Sequence, residues 1–280
     1  MLSWQIGDVR VTQVVELITA SLGPHLLPQA KPELMQAIPW MAPFLDERGH
    51  IVLSIHALVI ESADHTIVVD TCIGNDKPRT YPKWNLMQGD FLARFAAAGF
   101  TTEQVDTVLC THMHVDHVGW NTRWVDGRWQ PTFPRAQYLF AEDEWHHWRQ
   151  EAQEYGPVIE DSVQPIFDAG QAVIVAQQHQ VTDEVSLQPT PGHTPGHVSV
   201  RIQSRGEVAI ITGDMIHHPC QIAHPQWSTL ADTDPCAAAQ TRGDFLQRYG
   251  DQPVLVIGTH FAAPTAGHIV KDGNSYRLDY

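Results

Sequence analysis

Over most of this chain the apolar residues fall in short β-branched runs rather than in helical stripes, and the runs predict a protein rich in sheet. Residues 9–17 alternate in part between apolar and polar and read as an opening strand. Residues 51–61 and 66–70 are two apolar runs separated by Ser62, Ala63, Asp64 and His65, the spacing of a hairpin. Residues 86–98 have helical composition and stop at Gly99, as a helix C-terminus should. A strand-length run, 105–110, follows. Asp126-Gly127 predicts a tight hairpin turn, and residues 142–153 read as a helix with Trp145 and Trp148 on one face. From Ala172 the chain returns to strands, among them 198–202, 208–212 and 253–260, with a helix expected over Pro235–Tyr249.

Residues 21–49 break this texture. Pro24, Pro28, Pro32, Pro39 and Pro43 punctuate Leu26, Leu27, Met35, Ile38, Trp40, Met41, Phe44 and Leu45. Such prolines forbid long helices, yet the segment is too apolar for a disordered linker. Two readings stay open: a core cover or dimer arm, and a lid over a site.

The strands end in polar residues capable of chemistry. Run 105–110 leads into Thr111-His112-Met113-His114-Val115-Asp116-His117, three imidazoles and a carboxylate at one strand exit. In extended chain His112 and His114 project to one side and can grip one metal ion. Asp116 and His117 are adjacent, so the chain must turn there and aim them at a second position. A pair of metals is the economical reading. His193, Asp214 and His260 likewise follow strand-like runs, and Asp70 ends another, where a carboxylate orients ligand imidazoles through their second nitrogen. Trp120, Trp124 and Trp129 are either hairpin packing or an apolar substrate wall. His146 and His147 lack ligand spacing and read as surface or packing residues.

Composition narrows the partners. At 280 residues, 43% hydrophobic, the chain can fill a substantial core, and a formal charge of −15 with scattered Lys and Arg argues against nucleic acid. No apolar stretch is long enough to span a membrane. The opening residues show no basic stretch followed by an apolar one, so a cytoplasmic protein is expected. Cys72, Cys110, Cys220 and Cys236 have no paired spacing and read as reduced thiols.

On these residues the chain resembles the metallo-β-lactamase superfamily. Residues 111–117 match its H-x-H-x-D-H motif, and Pro191-Gly192-His193-Thr194-Pro195-Gly196-His197 matches its G-H-T-P-G-H loop. Asp70 matches its first strand-end aspartate, and His193, Asp214 and His260 fall in the order of its remaining ligands. The resemblance implies an α+β fold, a four-layer αβ/βα sandwich formed as a single domain over 1–280, with residues 21–49 as lid or dimer arm. It implies one metal on His112, His114 and His193, a second on Asp116, His117 and His260, and Asp214 bridging them. It leaves His197 a supporting role. Asp214 stands where the thiolate-dependent lactam-cleaving enzymes carry cysteine. Residues 213–219, residues 227–235 and the long N-terminal extension look like the branch containing methyl parathion hydrolase and related lactonases. His217 replaces the tyrosine that acyl homoserine lactonases often carry, which argues against a strict homoserine-lactone assignment.

The expected chemistry is hydrolysis of an ester, lactone or organophosphate by a hydroxide bridging two divalent ions, Zn²⁺ first, with Mn²⁺, Co²⁺ or Fe²⁺ acceptable to the same nitrogen and oxygen ligands. Asp116 would orient the water and shuttle its proton. His217 would bond the substrate or protonate the leaving group, or else be a buried structural histidine. The expected substrate is a small neutral or hydrophobic molecule, and a homodimer is compatible. The alternative is a mononuclear iron enzyme resembling the persulfide dioxygenases.

Overall fold

A computed structural model of the chain describes residues 1–151 and 155–280. The chain opens with β1 (Ser3–Ile6) and β2 (Val9–Thr19), an antiparallel hairpin turning at Gly7 and Asp8, so the expected opening strand has a partner ahead of it. The proline-rich segment then forms two short helices, α1 (Gly23–Leu26) and α2 (Pro32–Gln36), each with proline in its first turn, where no N–H is needed. Strands β3 (Leu53–Ser62) and β4 (His65–Val69) make the expected hairpin.

Helix α3 spans only Phe91–Ala97. The helix expected over 86–98 starts late because Leu86 takes a φ of +50° and Asn75 brackets Gly89, accepting its N–H and donating to its carbonyl. Then come β5 (Thr107–Leu109), the hairpin β6 (Thr122–Val125) and β7 (Arg128–Pro131), β8 (Gln137–Ala141), α4 (Glu142–Trp148), α5 (Gln164–Asp168) and β9 (Ala172–Val175). The turn between β6 and β7 has positive φ at both Asp126 and Gly127, as a type I′ turn requires. Helix α4 is shorter than the 142–153 expected from sequence; residues 152 and 153 lie outside the described residues.

The remaining elements are β10 (Val185–Pro189), β11 (Val198–Ser204), β12 (Glu207–Ile211), α6 (Cys220–Ala223), α7 (Pro235–Tyr249), β13 (Val254–Ile257), β14 (Ala266–Asp272) and β15 (Ser275–Asp279). Besides the two-stranded β6–β7 sheet, two large sheets result, ordered β1-β2-β3-β4-β5-β8-β9 and β10-β11-β12-β13-β14-β15. Strands β4, β5, β8 and β9 run parallel to one another, as do β12 and β13.

Strand alternation explains the layering. On β3, Leu58 and Ile60 face the other sheet and pack with Val200, Ile202 and Ile211, while Ala57 and Val59 face outward onto Phe91, Phe95 and Phe140. The second sheet's outer face packs Ile210 and Val256 against Phe245 and Leu246 of α7, and against Leu27, Met35, Met41 and Phe44 of the proline-rich segment. Both faces of both sheets are therefore covered, which accounts for runs that are apolar without interruption. This is the expected four-layer α+β sandwich, two sheets face to face with helices outside. Cys72, Cys110, Cys220 and Cys236 are all free thiols. Among the described residues no helix is long and apolar enough to cross a membrane.

Candidate metal centre

The ends of β4, β5, β10, β12 and β13 gather at one edge of the sandwich, and the loops that leave them carry Asp70, residues 112–117, His193, Asp214 and His260. Seven side chains, His112, His114, Asp116, His117, His193, Asp214 and His260, meet there in two groups. His112, His114, His193 and Asp214 form one, and Asp116, His117 and His260 the other, with the ligating atoms of each group within 4.8 Å of one another. His193 Nε2 lies 2.8 Å from His114 Nδ1 and 3.2 Å from His112 Nε2, while His117 Nε2 lies 3.1 Å from His260 Nε2. Asp214 sits between the groups: Oδ2 is 3.2 Å from His117 and 3.5 Å from His193, and Oδ1 is 3.2 Å from His260.

The outer ring nitrogens show where the protons are. His193 Nδ1 donates to Asp232 at 2.7 Å, His117 Nδ1 to Asp70 at 2.8 Å and His260 Nδ1 to the Ser54 carbonyl at 3.0 Å. Thr111 gives its hydroxyl proton to Asp70, so it accepts from His112 Nδ1 at 3.1 Å. In neutral rings, four imidazoles with protons committed outward point bare lone pairs inward at one another. Such a cluster needs a cation. The nitrogen separations approach the roughly 3.3 Å edge of a tetrahedron built on zinc–nitrogen bonds of about 2 Å, and Asp214 Oδ1 is buried with no hydrogen-bond partner. The residues fit divalent ions bound by nitrogen and oxygen.

The electrostatics say the same. Burial first, then neighbouring imidazoles, holds His112 and His114 well below the usual histidine range, so both are neutral donors. Burial also works against a charged His117 and a charged His260, but Asp214, with Asp116 and for His117 also Asp70, outweighs it and draws protons onto both rings. Divalent ions would take the place of those protons. Zinc uptake by metal-free protein at neutral pH is therefore expected to release on the order of one to two protons, read as a dependence of the calorimetric heat on buffer ionisation enthalpy; a buffer-independent heat would contradict it.

The supports extend further out. Asp70 holds its side chain from a left-handed backbone (φ +56°) and accepts from Thr111 through both backbone and hydroxyl. His197, kept neutral by burial with a pKa pushed down to about 3, accepts the Asp214 N–H at 2.8 Å through Nε2, fixing the carboxylate between the two groups. His217 Nε2 is 3.1 Å from Asp214 Oδ2, and its Nδ1 is buried without a partner. His146 is exposed, away from both groups, and His147 borders a smaller cavity behind His114.

Above the centre lies a cavity of about 510 Å³ whose walls are apolar: Leu22 and Leu26 from the proline-rich segment, Leu53 and Ile55 from β3, and Tyr81 and Trp84. Asp116 and His217 reach its floor. The lid reading of residues 21–49 thus has Leu22, His25 and Leu26 behind it, and the cover reading has Leu27 and Phe44. The tryptophans singled out in sequence do not line it. Trp120 stacks on Phe91 at 5.6 Å, and Trp124 packs on Trp129 at 5.0 Å across the β6–β7 hairpin. Tyr81, Trp84 and Tyr155 serve instead, from loops without periodic signal. Asp232 also lacked a specific signal, being one of several polar residues in a loop.

Beneath the 112–117 loop, Glu16 of β2 is buried, and desolvation pushes its pKa up to about 7 against the hydrogen bonds from Ile73, Trp120 and Gly74. A raised carboxyl pKa means the native state holds the proton that the unfolded chain releases near 4.5. The stabilisation is complete below that pH and is lost as pH rises through about 7. In metal-free protein, Glu16→Gln should flatten a slope of up to about 1.4 kcal/mol per pH unit, measured by urea unfolding between pH 4.5 and 8 with chelator present. Parallel profiles for the two proteins would rule this out.

A model of the metallo-β-lactamase superfamily matches residues 50–260, and the chain belongs to that superfamily. A probable metallo-hydrolase of Mycobacterium tuberculosis (strain H37Rv) is 25% identical over 194 residues, 60% of this chain and 58% of the relative. An N-acyl homoserine lactonase of a Bacillus species is 24% identical over 165 residues, 54% of this chain and 59% of the relative. The match thus spans less than two thirds of either relative's own length. Among solved structures, the hydrolase AbOPH superposes with a TM-score of 0.80 at 23% identity, covering 99% of this chain and 96% of that one. AidC, a dizinc quorum-quenching lactonase in complex with a product N-hexanoyl-L-homoserine, does so with 0.80 at 19% and the same coverage. At these identities the likeness speaks to the fold.

Proposed function

We propose that this protein is a dinuclear metal-dependent hydrolase of small apolar esters, lactones or organophosphate triesters. One observation carries the reading: bare imidazole nitrogens and an unpartnered Asp214 oxygen converge at the floor of an apolar cavity. His112, His114 and His193 would hold one ion, Asp116, His117 and His260 the other, and Asp214 both. The second complete group is what favours two ions over one iron. The names of the Bacillus lactonase and of dizinc AidC support the same class.

When bound, two divalent ions supply Lewis acidity, acidifying a water toward neutral pH and polarising the scissile group. The chain's residues do the rest. Asp116, on the cavity floor, orients the attacking water and holds its proton. His217, which also reaches the floor, would bond the substrate or protonate the leaving group. Leu22, Leu26, Leu53 and Trp84 seat the apolar body of the substrate and exclude water from the floor. The test is metal content per chain together with turnover of p-nitrophenyl esters, aliphatic and aromatic lactones and a phosphotriester. Two ions with hydrolysis of one of these classes is the expected result; a single iron with none would overturn the proposal.

A further inference from the structure

Two buried glutamates outside the ligand set share one design. Glu144, in the first turn of α4, accepts the Met113 N–H at 2.9 Å and the Trp148 indole N–H at 2.6 Å on Oε1, and the Thr194 hydroxyl at 2.6 Å on Oε2. Met113 lies between His112 and His114, and Thr194 follows His193. One carboxylate therefore ties together the two loops that carry the first group. The fit leaves no slack on either side: a Cβ on Gly196 would fall 2.0 Å from the Glu144 nitrogen.

Glu16 repeats the arrangement on the other side. It accepts the Ile73 N–H at 2.8 Å, the Gly74 N–H at 3.2 Å and the Trp120 indole N–H at 2.6 Å. Ile73 and Gly74 belong to the loop of Asp70, which holds His117 Nδ1, and Trp120 lies three residues past His117. The two stretches are already laced together, Thr71 N–H to the His117 carbonyl and Trp120 N–H to the Thr71 carbonyl, both at 2.7 Å. Among the described residues neither glutamate is hydrogen-bonded to a basic side chain, and each takes one indole and two further donors. Buried carboxylates with that surrounding cost stability unless their bonds are fully made, so their value lies in holding fixed positions.

We infer that Glu144 and Glu16 are separate positioning residues, Glu144 setting the His112, His114 and His193 group and Glu16 the Asp116, His117 and His260 group. This rests on the two-ion reading above. Supporting residues of this kind alter metal affinity by about 10- to 100-fold when removed, and here the loss falls on one ion at a time. Glu144→Gln keeps shape but loses an acceptor, and should weaken the first ion by about that factor while leaving the second within roughly threefold. Glu16→Gln should do the reverse. Thr194→Val should reproduce Glu144→Gln, and Thr194→Ser should restore wild-type binding.

The experiment is chelator competition for Zn²⁺ on the full chain, with anomalous diffraction at the zinc edge to read each site's occupancy. Site-selective loss in opposite directions supports the inference. Equal loss at both sites, or none, overturns it while leaving the two-ion reading standing. Wild-type protein that binds fewer than two ions overturns that reading and the inference with it. Where a glutamine variant fails to fold, Thr194→Val and Trp120→Phe, each deleting one donor, carry the same test.

Discussion

Asp214→Ala is expected to lower hydrolysis on the order of 10³-fold and to reduce bound metal from two ions to one, with the secondary structure kept. The reason is geometric. Asp214 reaches both groups, its oxygens lying 3.2 Å from His117 and from His260 and 3.5 Å from His193. No other carboxylate is so placed among the described residues, since Asp116 stands 3.6 Å from His260 and 3.7 Å from His117 and belongs to the second group alone. The backbone should survive because His197 holds the Asp214 N–H and not its side chain. Asp214→Asn, with one oxygen left, should fall between. Metal analysis and turnover on the same preparation check this, and two tightly held ions with unchanged turnover would refute the shared role.

Gly119→Ala should have the largest effect on folding. A Cβ there would meet the Ile73 carbonyl oxygen at 1.8 Å and its carbon at 2.0 Å, both backbone atoms that no rotamer change can move. The Gly119 N–H also bonds the Cys72 carbonyl at 2.7 Å, so relief requires parting the loop that follows Asp70 from the loop that follows His117. The expected cost is about 3 kcal/mol or more, with Asp70 pulled off His117 and metal affinity falling with it. Urea unfolding of the variant, with metal content measured alongside, tests both halves. A stable variant with normal metal content would show that the loops separate freely.

Much of the candidate centre was legible because the side chains gathered there are chemically conspicuous and sit where apolar runs end. His112 through His117 are nearly contiguous, and His193, Asp214 and His260 each follow a strand, so a short local pattern carries each position. The strands were legible from their β-branched apolar runs, whereas the four-layer sandwich came only with the family resemblance. Glu144 was not: in sequence it is one of three acidic residues opening a helix, the usual mark of an exposed first turn. Only the tertiary contact with residues 113 and 194 buries it. Glu16 was hidden likewise inside a strand read for its apolar neighbours. The cavity aromatics escaped because Tyr81, Trp84 and Tyr155 lie in irregular chain, whereas Trp120, Trp124 and Trp129 stood close to the motif in sequence and pack elsewhere.

The proline-rich segment gives the cavity two of its apolar walls while contributing none of the seven centre residues. The centre and this part of the wall are therefore written in different stretches of the gene. Changes at Leu22, His25 or Leu26 are expected to reshape the cavity while leaving the seven gathered residues untouched, which makes residues 21–31 the place to begin redesigning what the cavity admits.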